Sequence, residues 1–430
     1  MELLRKTVSG VMLTLLLVGM LALSFNIQPV RASGTIYIRA DGSIDPPDAP
    51  ISTVDNVTYA LTGNVTSDAD GIVVERDNII IDGAGCTVEG TGIEGRGFFL
   101  YGITNVTIKK TNIRSFFDGI SLTDSSNNSI SENKITNNKY GIMLLGSLLG
   151  SSNNSISGNN LTNKIIGIML DESSNNRISE NKITNSGFWG GIWLDHSSNN
   201  SIVGNDITNN RQYGIRLWQS SNNGISGNRI ANNNESGISF VGGDSYNSIF
   251  GNNITANNDC GIMLGSSSNY NSISGNNITR NENGIELYSS SNNSIAENSI
   301  TNNSGGGIYL YRSSNNRFWH NNFIDNTQQV HVEPAGYANV WDDGYPSGGN
   351  YWSDYTDVDQ YSGPYQNETG SDGIWDHPYI INENNQDNYP IVPEFPTWTS
   401  ILLIFIVLTV VIAIYKRRLE NSISMRCHEL

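Results

Sequence analysis

Between residues 105 and 326 the chain repeats one phrase, S-S-N-N-S-I-S-x-N-x-I-T-N-N-x-x-G-I-x-L, and a fixed period of this size means stacked supersecondary units. The first apolar position of the phrase falls at Ile108, Ile130, Ile156, Ile178, Ile202, Ile225, Ile249, Ile273, Ile295 and Phe318, at spacings of 22, 26, 22, 24, 23, 24, 24, 22 and 23 residues. A second apolar position follows five residues later, as at Ile135, Leu161, Ile183 and Ile207. A Gly-Ile-x-Leu unit closes each repeat, as at Gly141-Ile142-Met143-Leu144 and Gly214-Ile215-Arg216-Leu217. No window holds an apolar period of about 3.6 residues long enough for a helix. Ile-x-Leu alternates instead, with Ile and Leu pointing inward and x outward. The pattern predicts an all-β fold, a right-handed parallel β-helix with three short strands per coil. Leucine-rich repeats share the period but need L-x-x-L-x-L, which does not occur.

Composition fits a thin core. Hydrophobic residues make up 37% of the 430-residue chain, charged residues 15%, and there are 44 glycines. That is too little apolar residue for a broad globular core and too little charge for a disordered chain. Asparagine is expected to be scaffold. Asn133, Asn159, Asn181, Asn205, Asn228, Asn252, Asn276, Asn298 and Asn321 each stand three residues after the first apolar position. A second row, including Asn128, Asn154, Asn176 and Asn200, stands two residues before it. Stacked coils place identical amides above one another, where they can bond along the column, and Asn tolerates the left-handed backbone of tight turns.

These SSNNSISGNNIT…GIxL coils resemble the NosD-type right-handed β-helix family over roughly residues 70–330. GTIYIRADGSIDPPDAP with VVERDNIIIDGAGCTVEG is similar to the N-terminal cap of its archaeal surface-exposed members. The segment from WDDGYPSGGNYW to NQDNYPIV is similar to their C-terminal extension. The expected organisation is a signal peptide over 1–32, an N-terminal cap over 33–77, the β-helix over 78–330 and an acidic, aromatic cap over 331–394. The PEFPTW motif, membrane helix and basic stop are assigned to 395–418, and a cytoplasmic tail to 419–430.

The two ends carry the reading of location. Arg5 and Lys6 precede the apolar stretch Val11–Leu23, and Val30-Arg31-Ala32 fits a cleavage site before Ser33. At the other end, 18 residues from Trp398 to Tyr415 suffice for a membrane span, and Lys416-Arg417-Arg418 orient residues 419–430 into the cytoplasm. This tail resembles archaeal surface-protein tails of the PEF type, so the chain is expected at the cell surface, membrane-anchored by its C-terminal helix. Of 13 N-x-[S/T] sequons, Asn56, Asn64, Asn105, Asn127, Asn153, Asn199, Asn292 and Asn367 are the expected glycosylation sites of an exported chain. A net charge of -17 excludes nucleic acid as a partner. Cys86 and Cys260 lie about seven coils apart, ~34 Å at ~4.8 Å per coil, so no disulfide joins them.

The resemblance makes copper the first cofactor to weigh, because the family's namesake is associated with copper delivery to nitrous oxide reductase. The residues disfavour it. Copper wants clustered Cys, Met or His, whereas His196, His320, His331 and His377 are scattered, and Met263 lies several coils from Met143 and Met169. No cofactor is required. Calcium is the one candidate, at Asp354-x-x-Asp357-x-Asp359 and Asp372-Gly-x-x-Asp376 in a segment, 341–394, holding eleven acids and no Lys or Arg.

Ligand chemistry concentrates on the Gly-Ile-x-Leu strands. Their outward pairs are Met169/Asp171, Trp193/Asp195, Arg216/Trp218, Glu286/Tyr288 and Tyr309/Tyr311, with Trp189, Tyr213 and His196 in flanking turns. Register is expected to put Asp171 beside Asp195, then Trp218, with Arg216 diagonal to Asp195. Aromatic faces with carboxylates and an Arg suit a sugar chain. The leading expectation is therefore a surface-anchored, non-enzymatic protein for binding, adhesion or envelope scaffolding, whose stripe binds a polysaccharide or surface glycan without cleaving it. The alternative is a lyase, epimerase or hydrolase on uronate polymers, with Asp171, Asp195 and Arg216 as the catalytic groups. The short motifs of known β-helix enzymes, such as Gly-His-Gly or Asp-Pro-His, do not occur.

Overall fold

A computed structural model describes residues 34–92 and 94–393. The expected signal peptide, PEFPTW motif, membrane helix and cytoplasmic tail lie outside those residues. Three sheets of 14, 13 and 13 strands run the length of a parallel β-solenoid of right-handed type, each coil giving one strand to each sheet. No helix interrupts the described residues, and none there is long and apolar enough to cross a membrane. Two sheets are built of three-residue strands such as Ser129–Ser131 and Lys134–Thr136. The Gly-Ile-x-Leu sheet is wider, with six-residue strands at Asp118–Thr123, Tyr140–Leu145, Ile166–Asp171 and Gly190–Asp195.

Each corner of a coil has the same grammar: a left-handed residue, then a buried Asn. In one coil these are Asn127 (φ 59°) before Asn128, Glu132 (φ 55°) before Asn133 and Asn137 (φ 59°) before Asn138. The buried amides form ladders. Asn228 Oδ1 accepts from the backbone N and the Nδ2 of Asn205 at 2.9 and 3.0 Å. Its own Nδ2 donates to Asn252 Oδ1 and to the Ile202 carbonyl, both at 2.9 Å. Each amide thus binds the coil above and below, as buried polar groups require. A third ladder, not singled out from the sequence, runs through Asn138, Asn163, Asn210, Asn233, Asn257, Asn281, Asn303 and Asn326, interrupted by Ser186.

Inside, Ile and Leu stack in columns with no exposed surface, as at Ile192, Ile215, Ile238 and Ile262. The glycine that opens Gly-Ile-x-Leu is required by close approach: a Cβ on Gly214 would lie 2.5 Å from the Gly237 carbonyl oxygen and 2.6 Å from Ile230 Cγ2.

Within the segment assigned to the N-terminal cap, residues 34–77 stack on the solenoid. Ile36–Ile38 pairs in parallel with Ile72–Val74, and Thr58–Leu61 with Ile80–Asp82. Capping is done by two strands that turn back antiparallel, Ile44–Asp45 and Ile51–Thr53, which end the open edges of two sheets. At the other end, Trp341 stacks on Phe318 at 4.2 Å and Trp352 on Phe323 at 4.4 Å, sealing the last apolar coil. Two ladders terminate there. Asn385 Oδ1 accepts from Asn339 N and Trp341 Nε1, and Asp387 Oδ2 from Asn350 N and Trp352 Nε1.

Candidate functional site

Three-residue strands leave two outward positions per coil, and in the Ser-Ile-Ser sheet these are mostly serines, as at Ser129/Ser131 and Ser272/Ser274. The six-residue strands offer a broader face, and there the outward residues change from coil to coil. Register pairs Asp171 with Asp195 and Asp195 with Trp218, and stacks Met169, Trp193 and Arg216 in the neighbouring column.

Arg216 is the centre of this face. Its guanidinium carbon lies 5.0 Å from the ring centre of Trp193, 5.3 Å from Tyr213 and 5.9 Å from Trp218. Among the described residues it makes no ion pair, and its buried Nε has no hydrogen-bond partner. The aromatic faces attract the cation but accept no strong hydrogen bond from it, so its donors remain available. Asp195 does not pair with it; its Oδ1 meets His196 Nδ1 at 2.6 Å, and this contact, foremost, raises the imidazole pKa. Burial and then the charge of Asp195 raise the Asp171 carboxyl. The group therefore sets one unpaired cation beside two carboxylates and a protonatable imidazole.

One expectation about this face needs correction. Trp193, expected to present its ring to a ligand, is only 7% exposed. It packs in a second apolar cluster with Met143, Ile166 and Met169, against which Tyr140 and Trp189 lie. Outward columns also stack coil on coil, at about 4.8 Å, so bulky neighbours cover one another. Trp218, at 40% exposed, is the open ring. Glu286, Tyr288, Tyr309 and Tyr311 form a separate patch, divided from Arg216 by Ser239 and Met263. Within it Tyr288 stacks on Tyr311 at 4.7 Å and Tyr309 on His331 at 5.1 Å. Glu286 Oε2 is taken by the Cys260 thiol at 3.2 Å.

The aspartates suggested for calcium go to different partners. Asp359 accepts from Ser371 and the backbone of Asp372 and Gly373, Asp376 from the backbone of Gln360 and Tyr361, Asp357 from His377, and Asp354 from Tyr379. Asp372 accepts from Gln366 and the Ile374 backbone. Among the described residues no three His, Cys, Asp or Glu side chains are grouped to hold a metal ion. Cys86 and Cys260 are both free. The eight asparagines expected to carry glycans are all exposed, and Asn127, Asn153, Asn199 and Asn292 share one left-handed turn position.

The fold and this face define a parallel β-helix with a varied outer surface on one sheet. More specifically, the chain belongs to the family described as "Periplasmic copper-binding protein (NosD)", which matches residues 33–212, 146–273 and 191–357. A copper donor set is not assembled by the described residues: His196 pairs with Asp195, His377 with Asp357, His320 with the Ser347 carbonyl, and Met143 and Met169 are buried in the apolar cluster. Among solved structures, a mutant of the periplasmic alginate epimerase AlgG is similar at 16% identity and a TM-score of 0.53, over 72% of this chain and 82% of that one. The Dettilon tailspike protein gp208 gives 18% and 0.46 over 65% and 61%. The Azotobacter vinelandii mannuronan C-5 epimerase AlgE6 A-module gives 14% and 0.43 over 66% and 87%. At such identities the likeness is one of fold. No curated protein matches by sequence.

Proposed function

We propose that this protein is exported, held at the cell surface, and binds an acidic polysaccharide along its Gly-Ile-x-Leu face without cutting it. The observation that carries the reading is Arg216, a guanidinium framed by three aromatic rings with no carboxylate partner. A uronate carboxylate would take the free donors as a charge-assisted, forked pair. The exposed ring of Trp218 would cover the apolar face of the adjoining sugar. Asp171, Asp195 and His196 line the next coils and would accept from hydroxyls. The family's periplasmic description and the polysaccharide epimerases among the fold's relatives agree with a glycan partner outside the cytoplasm.

Titrating the protein with polymannuronate tests this. Arg216→Gln is expected to weaken binding by about tenfold or more, since a hydrogen bond to a charged group contributes about 1.5–3 kcal/mol. Trp218→Ala should also weaken it, and added salt should weaken the unaltered protein more than Arg216→Gln. Equal affinity of the unaltered and Arg216→Gln proteins would refute the assignment, and shortened or unsaturated products would move the protein among the enzymes.

A further inference from the structure

We infer that a cavity at the N-terminal end of the same face, away from Arg216, is a second binding site, and that it takes a neutral hexose unit through Asp118. The cavity is about 510 Å³ and is lined by Asp70, Glu94, Arg96, Phe117 and Asp118 among others, a size ordinary for small-ligand sites. It is built by turns of three successive coils. On its wall Asp118 is 8% exposed, and its Oδ1 has no hydrogen-bond partner.

A buried carboxyl oxygen without a donor is unusual, and here the reason is visible. Register places Arg96 on one side of Asp118 and Tyr140 on the other. Arg96 is already held: Nε and Nη2 donate to the two oxygens of Asp70 at 2.9 and 2.7 Å, and the guanidinium lies 3.4 Å from the Phe99 ring centre. Clamped by the carboxylate and the ring, it does not turn to Asp118. The neighbouring cation, Lys139, sits 4.1 Å over the Phe117 ring and makes no ion pair with Asp118. Burial pushes the Asp118 carboxyl up to about 6, against the pull of Arg96 and Lys139. Elsewhere in the same coil the buried amides of Asn128 and Asn133 are bonded on both sides.

A wall carboxylate with no protein partner narrows the ligand. An anion would meet Asp70, Glu94 and Asp118 together, with the one guanidinium on the wall already neutralised. A metal ion lacks the three grouped ligands it would need among the described residues. A hexose supplies several hydroxyl donors for the carboxylates and an apolar ring face for Phe117, which is 37% exposed at the rim. The site is independent of the reading of Arg216. Ser121, on the Asp118 strand, is separated from Arg216 by the rungs of Met143, Met169 and Trp193, ~19 Å at ~4.8 Å per rung.

Saturation-transfer NMR and calorimetry with glucose-, mannose- and galactose-based hexasaccharides test it on the whole protein. At least one series is expected to bind, and Asp118→Ala and Phe117→Ala should each weaken that binding by about tenfold or more. Asp118→Ala should melt no lower than the unaltered protein, because it removes an unpartnered group, and its affinity for polymannuronate should be unchanged. Asp118→Asn provides a near-isosteric second variant. Failure of every neutral series to bind, or binding indifferent to both alanine substitutions, overturns the site. Binding confined to amino-sugar oligomers overturns the assignment to a neutral unit.

Discussion

The ladders make a quantitative prediction at Asn228. Replacing it by Ala removes Oδ1, the acceptor of two buried donors, Asn205 N and Asn205 Nδ2. It also removes the donor to Asn252 Oδ1 and the Ile202 carbonyl, but Asn252 Oδ1 keeps another partner: the backbone N of residue 228 still reaches it at 2.9 Å. Asn205 Nδ2 likewise keeps the Ile178 and Val203 carbonyls at 3.0 and 3.3 Å, so the cost is dominated by one orphaned donor, Asn205 N, at about 1–3 kcal/mol. Asn228→Asp keeps the acceptor but turns an oxygen toward Asn252 Oδ1 and the Ile202 carbonyl, so it should be no milder. Asn277→Ala is the control, because that side chain is exposed and makes one weak bond, at 3.3 Å, to Asn253; it should stay within about 0.5 kcal/mol. Urea unfolding followed by circular dichroism gives the free energies. Amide hydrogen exchange then locates the loss, which a stacked array confines to neighbouring coils before it spreads. If Asn228→Ala and Asn277→Ala unfold at the same urea concentration, the ladder is not what holds the coils.

Burial sets two further outcomes. Trp193→Ala should destabilise the solenoid by about 3–5 kcal/mol in thermal or urea unfolding, as truncation of a packed Trp does; unchanged stability would return Trp193 to the role of an open platform. Burial raises the Asp387 carboxyl from 3.8 to about 7, in spite of the N–H donors around it. A raised acid favours folding when protonated, so its contribution is complete below about pH 4 and is lost as pH rises through about 7, by at most ~4 kcal/mol. The unaltered protein should lose more melting temperature between pH 5 and pH 8.5 than Asp387→Asn, and equal losses would refute the assignment.

The sequence made the inward half of this molecule legible because stacking repeats a constraint at every coil. Apolar residues, mostly Ile and Leu, must recur at the inward positions, and Asn must recur where an amide has to bridge two coils. The same register arithmetic located Asp171 beside Asp195 and Trp218. Three things escaped it. The third ladder is broken by Ser186 and written partly in Asn-Asn doublets, as at 137–138 and 209–210, where the buried member does not stand out from its neighbour, and partly in single asparagines such as Asn163 and Asn281. The burial of Trp193 depends on Met169 and Trp189 beside it, and periodicity says which way a side chain points but not what covers it. The Asp118 cavity is made by turns at 69–70, 94–96 and 117–118, in early coils whose text departs from the repeat, so no periodic signal marked it.

The distribution of variation separates scaffold from function. All three sheets stack under the same rules, and outward positions on any of them are equally free of the core. Yet the Ser-Ile-Ser sheet spends most of that freedom on small hydroxyl residues, while the Gly-Ile-x-Leu sheet carries Asp118, Trp193, Arg216, Trp218, Glu286 and Tyr309. Folding alone gives no reason for the difference. Stability argues against parts of it: an unpartnered buried Asp118 and an Arg216 Nε without an acceptor each withhold a hydrogen bond that a serine or threonine would not need. Both lie on the sheet that holds the six-residue strands, Asp118 on one of them and Arg216 on the four-residue strand Ile215–Trp218. Ser186 Oγ and Gln366 Oε1 are unpartnered away from this sheet, but Asp118 and Arg216 are the charged pair of such groups that the proposed binding would account for.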